Sequence, residues 1–327
     1  MEIIRIGILG AARIAPKAVI GPARDNPEFQ IGAVAARDKV RAEAYAAEHG
    51  IPAVAEDYDA LIARKDIDLV YVALPASGHT KWSLAALNAG KPVLCEKPFA
   101  WGAGEASFMA EAAEKEGLPL IEAFHYRFHD VMWRAIEIVR SGELGRLIEA
   151  ETVFDAPIPY RPDELRWQPA LGGGGALMDL GCYCVHALRS ITGEEPQVVR
   201  AACTVEHGVD AETSAELVFP GGLRATLHTA MTRPFSATLK LKGEKGSLFI
   251  SNFLLPQNGC TFTVEIGGKS REEPVEGPTT YEAQLAHVGD VLLRGAEPLT
   301  GGADAVANME CLDAIYAAGG YQRAAVK

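Results

Sequence analysis

The sequence of 327 residues lacks several features that define large classes of proteins. It contains no run of about 18 apolar residues, so we predict no membrane-spanning segment. Acidic residues outnumber basic ones, 43 to 31, and the net charge of −12 argues against nonspecific binding to nucleic acid. The first residues lack a basic stretch followed by an apolar segment. We therefore expect a cytoplasmic protein without membrane or nucleic-acid partners.

Cysteine is also scarce, and the spacing of the cysteines excludes further classes of protein. The chain has 6 cysteines and no C-x-x-C pair. No spacing of cysteine and histidine fits a zinc site, so we expect no metal. In a chain of this size we expect reduced thiols that behave as small buried residues. They are Cys95, Cys182, Cys184, Cys203, Cys260 and Cys311.

The pattern of apolar residues changes after residue 123. Before it, short β-branched runs alternate with alanine-rich helical stretches, which indicates parallel βαβ units and a doubly wound sheet. After it, strands with period-two alternation and glycine-rich turns indicate a mostly antiparallel, open-faced sheet in an α+β domain. We predict a Rossmann domain over residues 1–123 and an α+β domain over 124–327. The predicted helices that bear on the sites are 13–24, 40–49, 80–88 and 176–192.

A glycine-containing fingerprint follows the first predicted strand. The segment Gly7-Ile8-Leu9-Gly10-Ala11-Ala12-Arg13-Ile14-Ala15 fits G-x-G-x-x-G/A, with Gly10, Ala12 and Ala15 at the small positions. The first glycine permits the tight turn, and the helix start that follows supplies donors to a pyrophosphate. Alanine at the second position crowds the phosphates slightly. The pattern predicts a nucleotide site; an ordinary strand-to-helix turn is the alternative.

The end of the second strand indicates which nucleotide is bound. NAD-selective sites usually place a carboxylate here to bind the ribose hydroxyl, but this chain has Ala36 followed by Arg37. A guanidinium binds a 2′-phosphate through its planar fork, and Arg41 adds positive charge. Asp38 is predicted to cap the next helix. We expect NADP(H), with NAD(H) possible.

Two further segments carry chemistry. Lys97, in Glu96-Lys97-Pro98, follows an apolar strand, at the sheet edge where α/β folds bind ligands. Asp179 and Tyr183 follow a glycine run and lie four residues apart, on one face of a predicted helix. A tyrosine hydroxyl can donate a proton to a carbonyl that accepts hydride. A nearby ammonium such as Lys97 would lower its ordinary pKa of about 10.

Together these motifs resemble the glucose–fructose oxidoreductase / inositol dehydrogenase / rhizopine-catabolism (Gfo/Idh/MocA) family of oxidoreductases. The resemblance covers essentially the whole chain. The residues that carry it are Gly7–Ala12, Ala73–Pro75 with His79, Glu96–Pro98, Glu122–Phe124 with Tyr126–His129, Gly173–Tyr183 and Tyr281–Leu285.

The resemblance implies hydride transfer between a nicotinamide cofactor and a sugar, cyclitol or related diol. It implies that Lys97 contacts substrate and cofactor and that Asp179 orients substrate hydroxyls. Many members carry a histidine acid/base where this chain has Tyr183. In this respect the chain is similar to the subgroup containing dimeric dihydrodiol dehydrogenase and NADP-dependent xylose dehydrogenases. The family also implies a homodimer or homotetramer formed through the C-terminal sheet.

We expect three further residues near the substrate, His125, Arg127 and Trp167, and leave a packing role open for Arg127 and Trp167. Two other functions stay open: an NAD-dependent glycosidase of the same fold, and a noncatalytic nucleotide-binding redox sensor. The residues expected at the cofactor are Gly10, Ala11, Ala12, Arg13, Ile14, Arg37, Arg41, Leu74, Pro75, His79, Glu96 and Lys97.

Overall fold

The computed structural model describes residues 3–171 and 174–323, which form two compact units. The first unit contains the chain up to Phe124 together with Tyr281–Val306. The second contains His125–Thr280 and, of the described residues, 307–323. Among the described residues, no helix is both long and apolar enough to cross a membrane.

The described part of the first unit holds a five-stranded parallel sheet with the strand order β2-β1-β3-β4-β5. The sheet is nearly all buried, as expected for parallel strands covered on both faces. The order reverses at β1, so the ligand crevice of such a sheet lies beyond the carboxyl ends of β1 and β3. The strands are β1 Ile4–Leu9, β2 Phe29–Ala35, β3 Leu69–Val72, β4 Val93–Cys95 and β5 Leu120–Glu122.

Helices connect these strands, and two of them begin differently from the prediction. The helix after β1 starts with a π-helical segment, Pro16–Ile20, rather than as a regular α-helix from residue 13. The helix predicted over 80–88 already begins at Ala76, because Pro75 fixes an extended N-cap directly before it. The helices are α1 Gly21–Asp25, α2 Lys39–His49, α3 Tyr58–Ile62, α4 Ala76–Asn88 and α5 Ala103–Glu116.

The described part of the second unit holds an eight-stranded sheet with the order β13-β12-β11-β10-β6-β9-β8-β7. Neighbouring strands are antiparallel except β6 and β9, which pair in parallel. The mostly antiparallel sheet is thus confirmed. The short strand β13 was not predicted, because all four of its residues are exposed and it has no apolar pattern. The strands are β6 Leu147–Asp155, β7 Gln197–Glu206, β8 Val209–Val218, β9 Arg224–Ala230, β10 Ser236–Gly243, β11 Gly246–Ile250, β12 Phe262–Ile266 and β13 Lys269–Glu272.

The helix that covers this sheet also begins with a π-helical segment, Leu177–Gly181, where a regular helix was predicted from residue 176. The helices from here to the end of the described chain, with the one before the sheet, are α6 Asp130–Arg140, α7 Cys182–Thr192, α8 Thr280–Arg294 and α9 Ala303–Ala318. Short 3₁₀ turns occupy His125–Phe128, Leu165–Trp167, Pro169–Leu171 and Pro256–Asn258.

The helix α8 packs with the first unit although it lies late in the sequence. Its Leu285, Val288 and Val291 belong to the core of that unit, and Arg294 Nη1 lies 2.7 Å from Glu28 Oε1. A sequence shows that such a helix has an apolar face, but not which core covers it. The domain limits 1–123 and 124–327 stay a prediction.

Candidate active site

The turn after β1 requires a glycine. Gly10 has φ +107°, and a Cβ at this position would collide with the carbonyl oxygen of Ala73 beyond β3. The Gly10 N–H donates to the Ala35 carbonyl at 2.8 Å. The ends of three neighbouring strands therefore meet at Gly10, as the fingerprint predicts for a nucleotide turn.

The helix α2 fastens the loop that follows. Arg41 Nη2 donates to the Ala11 carbonyl at 2.8 Å, and the Tyr45 hydroxyl donates to the Ala12 carbonyl at 2.9 Å. Burial raises the pKa of Tyr45 to about 12, so it stays a neutral donor. Asp38 accepts from the Arg41 backbone N–H at 3.1 Å, which confirms its predicted role as helix cap. Arg41 thus has a structural role in addition to the cofactor contact predicted for it.

Two arginine side chains lie near the end of β2. Ala36 is buried, and Arg37 directly after it is exposed. Burial raises the pKa of Tyr58, and the Arg37 and Arg41 guanidinium groups partly oppose this increase. Both cations therefore lie near the same hydroxyl, at the strand end where NAD-selective sites carry a carboxylate.

Lys97 lies at the end of β4, directly after Glu96, which makes two hydrogen bonds to the neighbouring strand. The Glu96 N–H donates to the Val72 carbonyl at 3.0 Å, and its Oε1 accepts from the Tyr71 hydroxyl at 2.5 Å. Lys97 itself is half-buried. The backbone that carries the Lys97 ammonium is therefore fixed to the neighbouring strand.

His79 ties together the turns that follow β3 and β4. Its Nδ1 lies 2.9 Å from the Pro98 carbonyl oxygen and its Nε2 lies 2.8 Å from that of Leu74. Burial lowers the pKa of His79, and the Lys97 ammonium adds a smaller contribution in the same direction. His79 therefore holds the turns that frame the predicted cofactor site. Its own contact with a cofactor stays a prediction.

In the second unit, Tyr183 and His125 lie together. The Tyr183 hydroxyl lies 3.3 Å from His125 Nε2, and His125 Nδ1 lies 2.9 Å from the Thr280 hydroxyl. Both rings are buried, with Tyr183 6% and His125 5% exposed. The ring of Phe154 packs edge-on against Tyr183 at 5.7 Å. The predicted acid/base residue thus has a polar partner inside an aromatic shell.

A second tyrosine–histidine pair lies beside the first. The Tyr126 hydroxyl lies 2.6 Å from His186 Nδ1, and its ring contacts Tyr183 and Phe253 edge-on at 5.8 and 5.4 Å. His186 is 1% exposed. It is a buried histidine with a hydroxyl partner, and it supports the packing around Tyr183.

Asp179 forms an ion pair that the sequence analysis missed. Arg166 Nε donates to Asp179 Oδ2 at 2.7 Å, and Arg166 Nη1 donates to Glu164 Oε1 at 3.0 Å. Asp179 lies in the π-helical segment and Tyr183 in α7 directly after it. The only signal for Arg166 was its position in the proline-rich loop before the glycine run.

A buried carboxylate holds the start of this helix. Asp210 accepts from the Leu177 N–H at 2.8 Å and from the hydroxyls of Thr213 and Tyr316 at 2.8 and 2.9 Å. Burial raises the pKa of Asp210 to about 6. Gly175 has φ +107°, and a Cβ there would collide with Asp210 Oδ1. Of the glycine run, residues 172 and 173 lie outside the described residues.

The two remaining substrate candidates are packing residues in their local surroundings. Trp167 is 4% exposed, packs with Leu180 and Met231, and donates its indole N–H to the Ile158 carbonyl at 2.9 Å. The Arg127 guanidinium lies 4.3 Å from the centre of the Trp133 ring. Their contacts with substrate stay predictions.

The predicted site residues are divided between the two units. The cofactor candidates and Lys97 belong to the first unit, whereas Asp179, Tyr183 and His125 belong to the second. The described residues contain no group of three or more histidine, cysteine, aspartate or glutamate side chains that could hold a metal ion.

Both units match family profiles. Residues 4–124 match "Oxidoreductase family, NAD-binding Rossmann fold", and residues 132–249 match "GFO/IDH/MocA C-terminal domain". The chain therefore belongs to the Gfo/Idh/MocA family and is an NAD(P)-binding oxidoreductase. The family, the class of enzyme and the fold predicted from the sequence are confirmed.

Individual relatives are similar over most of their length. D-xylose 1-dehydrogenase (NADP(+)) 2 of Haloferax volcanii is 34% identical over 95% of both chains. Trans-1,2-dihydrobenzene-1,2-diol dehydrogenase of Mus musculus is 32% identical over 83% of this chain and 80% of the relative. The crystal structure of aldose-aldose oxidoreductase from Caulobacter crescentus, complexed with glycerol, superposes with a TM-score of 0.90 at 30% identity and covers 97% of this chain and 98% of the other.

Proposed function

We propose that the protein transfers hydride between NADP(H) and an aldose-like sugar or related diol, with Tyr183 as the proton-transfer residue. The names of the similar proteins support this substrate class, since they include a xylose dehydrogenase, a diol dehydrogenase and an aldose oxidoreductase. The same proposal has Asp179 orienting a substrate hydroxyl and Lys97 stabilising the Tyr183 phenolate.

The residues of the first unit fit a dinucleotide. The turn at Gly10 leaves no room for a side chain beside the Ala73 carbonyl, as the first glycine of a dinucleotide turn requires, and the helix that follows offers backbone donors. Arg37 and Arg41 supply two cations where a 2′-phosphate would lie. When bound, the nicotinamide supplies the carbon that accepts or gives hydride.

The contact between Tyr183 and His125 is the main observation that supports the proposal. During oxidation the substrate hydroxyl loses its proton as its carbon loses hydride, and the phenolate form of Tyr183 receives that proton and becomes the neutral hydroxyl. The hydroxyl of Tyr183 is positioned for this by His125 at 3.3 Å, which in turn is positioned by Thr280 at 2.9 Å. A positioned donor and acceptor with little solvent exposure is what general acid–base catalysis requires.

Replacing Tyr183 tests the mechanism. We expect Tyr183→Phe to lower kcat by about 10²- to 10⁴-fold, the usual contribution of general acid–base catalysis. The assay follows nicotinamide absorbance with NADP across aldoses, cyclitols and aromatic dihydrodiols. Tyr126→Phe is the matched control, since it removes a neighbouring buried hydroxyl that bonds to His186. Wild-type turnover in Tyr183→Phe would contradict the proposal, and cleavage of an aryl glycoside without net cofactor reduction would indicate the NAD-dependent glycosidase.

Replacing Arg37 tests the choice of cofactor. We expect Arg37→Ala to raise KM for NADP at least about tenfold and to leave KM for NAD nearly unchanged, because a charge-assisted contact to the 2′-phosphate is lost. Arg64→Ala is the control, since this arginine pairs with Asp66 at 2.7 Å on the surface of the same unit. A wild-type enzyme with kcat/KM for NAD equal to or above that for NADP would refute this choice.

We also propose that the protein acts in the cytoplasm as a homodimer or homotetramer. The supporting feature is the exposed face of the eight-stranded sheet, with a concavity of about 790 Å³ that is lined in part by Val199 and Phe249. The ion pairs Lys240–Glu151 and Lys242–Glu149 cross neighbouring strands there. Light scattering coupled to gel filtration measures the assembly, and a monomer at all concentrations would exclude it.

A further inference from the structure

The loop that precedes the glycine run is bonded to the helix segment that follows it. The Arg166 carbonyl accepts from the Gly175 N–H at 2.9 Å. The Gly175 carbonyl accepts from the Asp179 N–H at 3.1 Å, and Asp179 Oδ2 accepts from Arg166 Nε at 2.7 Å. The three residues therefore form a closed circuit of hydrogen bonds, with Arg166 contributing both backbone and side chain.

The circuit is anchored on its loop side by a buried carboxylate. The Glu164 side chain is 5% exposed and receives Arg166 Nη1 at 3.0 Å and Arg161 Nη2 at 3.2 Å. The Asp179 side chain is 14% exposed. Arg161 also lies 3.8 Å from the exposed Asp163 carboxylate, whereas Arg166 contacts both Glu164 and Asp179.

We infer that Arg166 is a positioning residue for Asp179: it fixes the orientation of this carboxylate, keeps it ionised, and couples the loop to the helix that carries Tyr183. The inference rests on the proposed function, in which Asp179 orients a substrate hydroxyl. An ionised, immobile carboxylate is a better acceptor for that hydroxyl than a protonated or mobile one.

Arginine suits this task better than lysine. Arg166 uses Nε toward Asp179 and Nη1 toward Glu164, so one planar group serves two acceptors in different directions. A lysine ammonium supplies the charge but not the fixed fork. The two contributions, charge and orientation, can therefore be separated by substitution.

The experiment compares Arg166→Gln and Arg166→Lys with the wild type in kcat, KM and the pH dependence of kcat/KM. We expect Arg166→Gln to lower kcat/KM by about 10²-fold, as misplacement of an orienting group does. The acid limb of the kcat/KM pH profile of Arg166→Gln should move to higher pH by about 1–3 units. Without a neighbouring cation, the Asp179 carboxylate takes up a proton more readily. Arg166→Lys should restore the acid limb but only part of kcat.

The matched control is Arg161→Gln, which removes the other guanidinium on Glu164. Its side chain is 58% exposed, and it bonds to Glu164 rather than Asp179 in the circuit described above. We expect its kcat/KM to stay within about twofold of the wild type, with the acid limb unchanged, because Glu164 keeps its bond from Arg166 and the bond from Arg166 to Asp179 is untouched. If Arg166→Gln behaves like Arg161→Gln in both measurements, the inference is wrong.

A thermal-unfolding cycle separates this inference from the proposed function. It uses Arg166→Gln, Asp179→Asn and the double variant, and it needs no substrate. Changes in Tm that fail to add show that Arg166 holds Asp179, and additive changes overturn the inference. A wild type without turnover on any sugar or diol would refute the proposed function, and the cycle would still decide the pairing.

Discussion

The predicted cofactor end of the first unit and the Tyr183 region of the second are stabilised in different ways. In the first, the bonds mostly end on backbone atoms: Arg41 on the Ala11 carbonyl, Tyr45 on the Ala12 carbonyl, and Gly10 on the Ala35 carbonyl. Such bonds survive many changes of side chain, because every residue supplies the carbonyl.

In the second, the bonds join side chain to side chain over long sequence separations. Tyr183 contacts His125 58 residues away, Tyr126 contacts His186 60 residues away, and Tyr316 contacts Asp210 106 residues away. Each bond depends on two particular residues. The nucleotide end therefore follows from short motifs, whereas the region around Tyr183 depends on pairs that only the fold brings together.

We expect the largest effect from removing Asp210, the buried carboxylate of the side-chain network in the second unit. Asp210→Ala would leave the Leu177 N–H and the hydroxyls of Thr213 and Tyr316 without their acceptor. We expect the free energy of unfolding to fall by about 4 kcal/mol, measured by urea titration, because each buried donor left unsatisfied costs about 1–3 kcal/mol. Glu216→Ala on the same strand is the control, since its pair with Arg200 is exposed. A loss no larger than the control's would contradict the role of Asp210.

Asp210 also makes a pH dependence that can be isolated. Its pKa is about 6 in the folded protein against an ordinary value of 3.8, so its stabilising contribution is complete below about pH 4 and is lost as the pH rises through 6. The stability of Asp210→Asn relative to the wild type should therefore rise between pH 4 and 7, by at most about 3 kcal/mol. Parallel stability curves for the two proteins would show that this pKa is not raised.

We expect a smaller effect from a substitution at the predicted cofactor end of the first unit. We expect Gly10→Ala to lower the free energy of unfolding by about 2–3 kcal/mol, because it combines a left-handed conformation with a collision against the Ala73 carbonyl. NADP affinity, measured by fluorescence titration, should fall with it. Gly90→Ala separates the two causes, since Gly90 has φ +75° with no atom within 4 Å of the added Cβ. Equal losses of unfolding free energy in Gly10→Ala and Gly90→Ala would show that the backbone near Ala73 shifts and removes the collision.

We expect the smallest loss of unfolding free energy from a substitution among the aromatic side chains around Tyr183. Tyr126→Phe removes one buried hydrogen bond, to His186, and keeps the ring contacts with Tyr183 and Phe253. We expect a loss of about 1 kcal/mol in unfolding free energy, measured by thermal denaturation, and turnover close to the wild type. A large loss of turnover without a loss of stability would assign this hydroxyl a direct part in the reaction.

The sequence predicted those features whose cause is local. The turn at Gly10 and the cap at Asp38 each depend on a few neighbouring residues, and the structure contains both. The alternation of strands and helices likewise indicated both sheets.

The features that could not be predicted depend on distant partners. Asp210 resembles a turn residue in the sequence, and its burial follows only from three donors that the fold brings to it. Arg166 lies in a loop without periodicity, so nothing local indicates its bond to Asp179. The apolar face of α8 could have packed on either core.

The π-helical segment Leu177–Gly181 has a consequence for comparing related enzymes. A π turn corresponds to one residue inserted into an α-helix, and each α-helical residue advances the helix by about 100°. The π turn accommodates this extra residue, so deleting one residue between Asp179 and Tyr183 would restore a regular α-helical turn and shorten their spacing from four residues to three. A relative that has a one-residue gap at this point can therefore keep both residue types at a different spacing in its sequence.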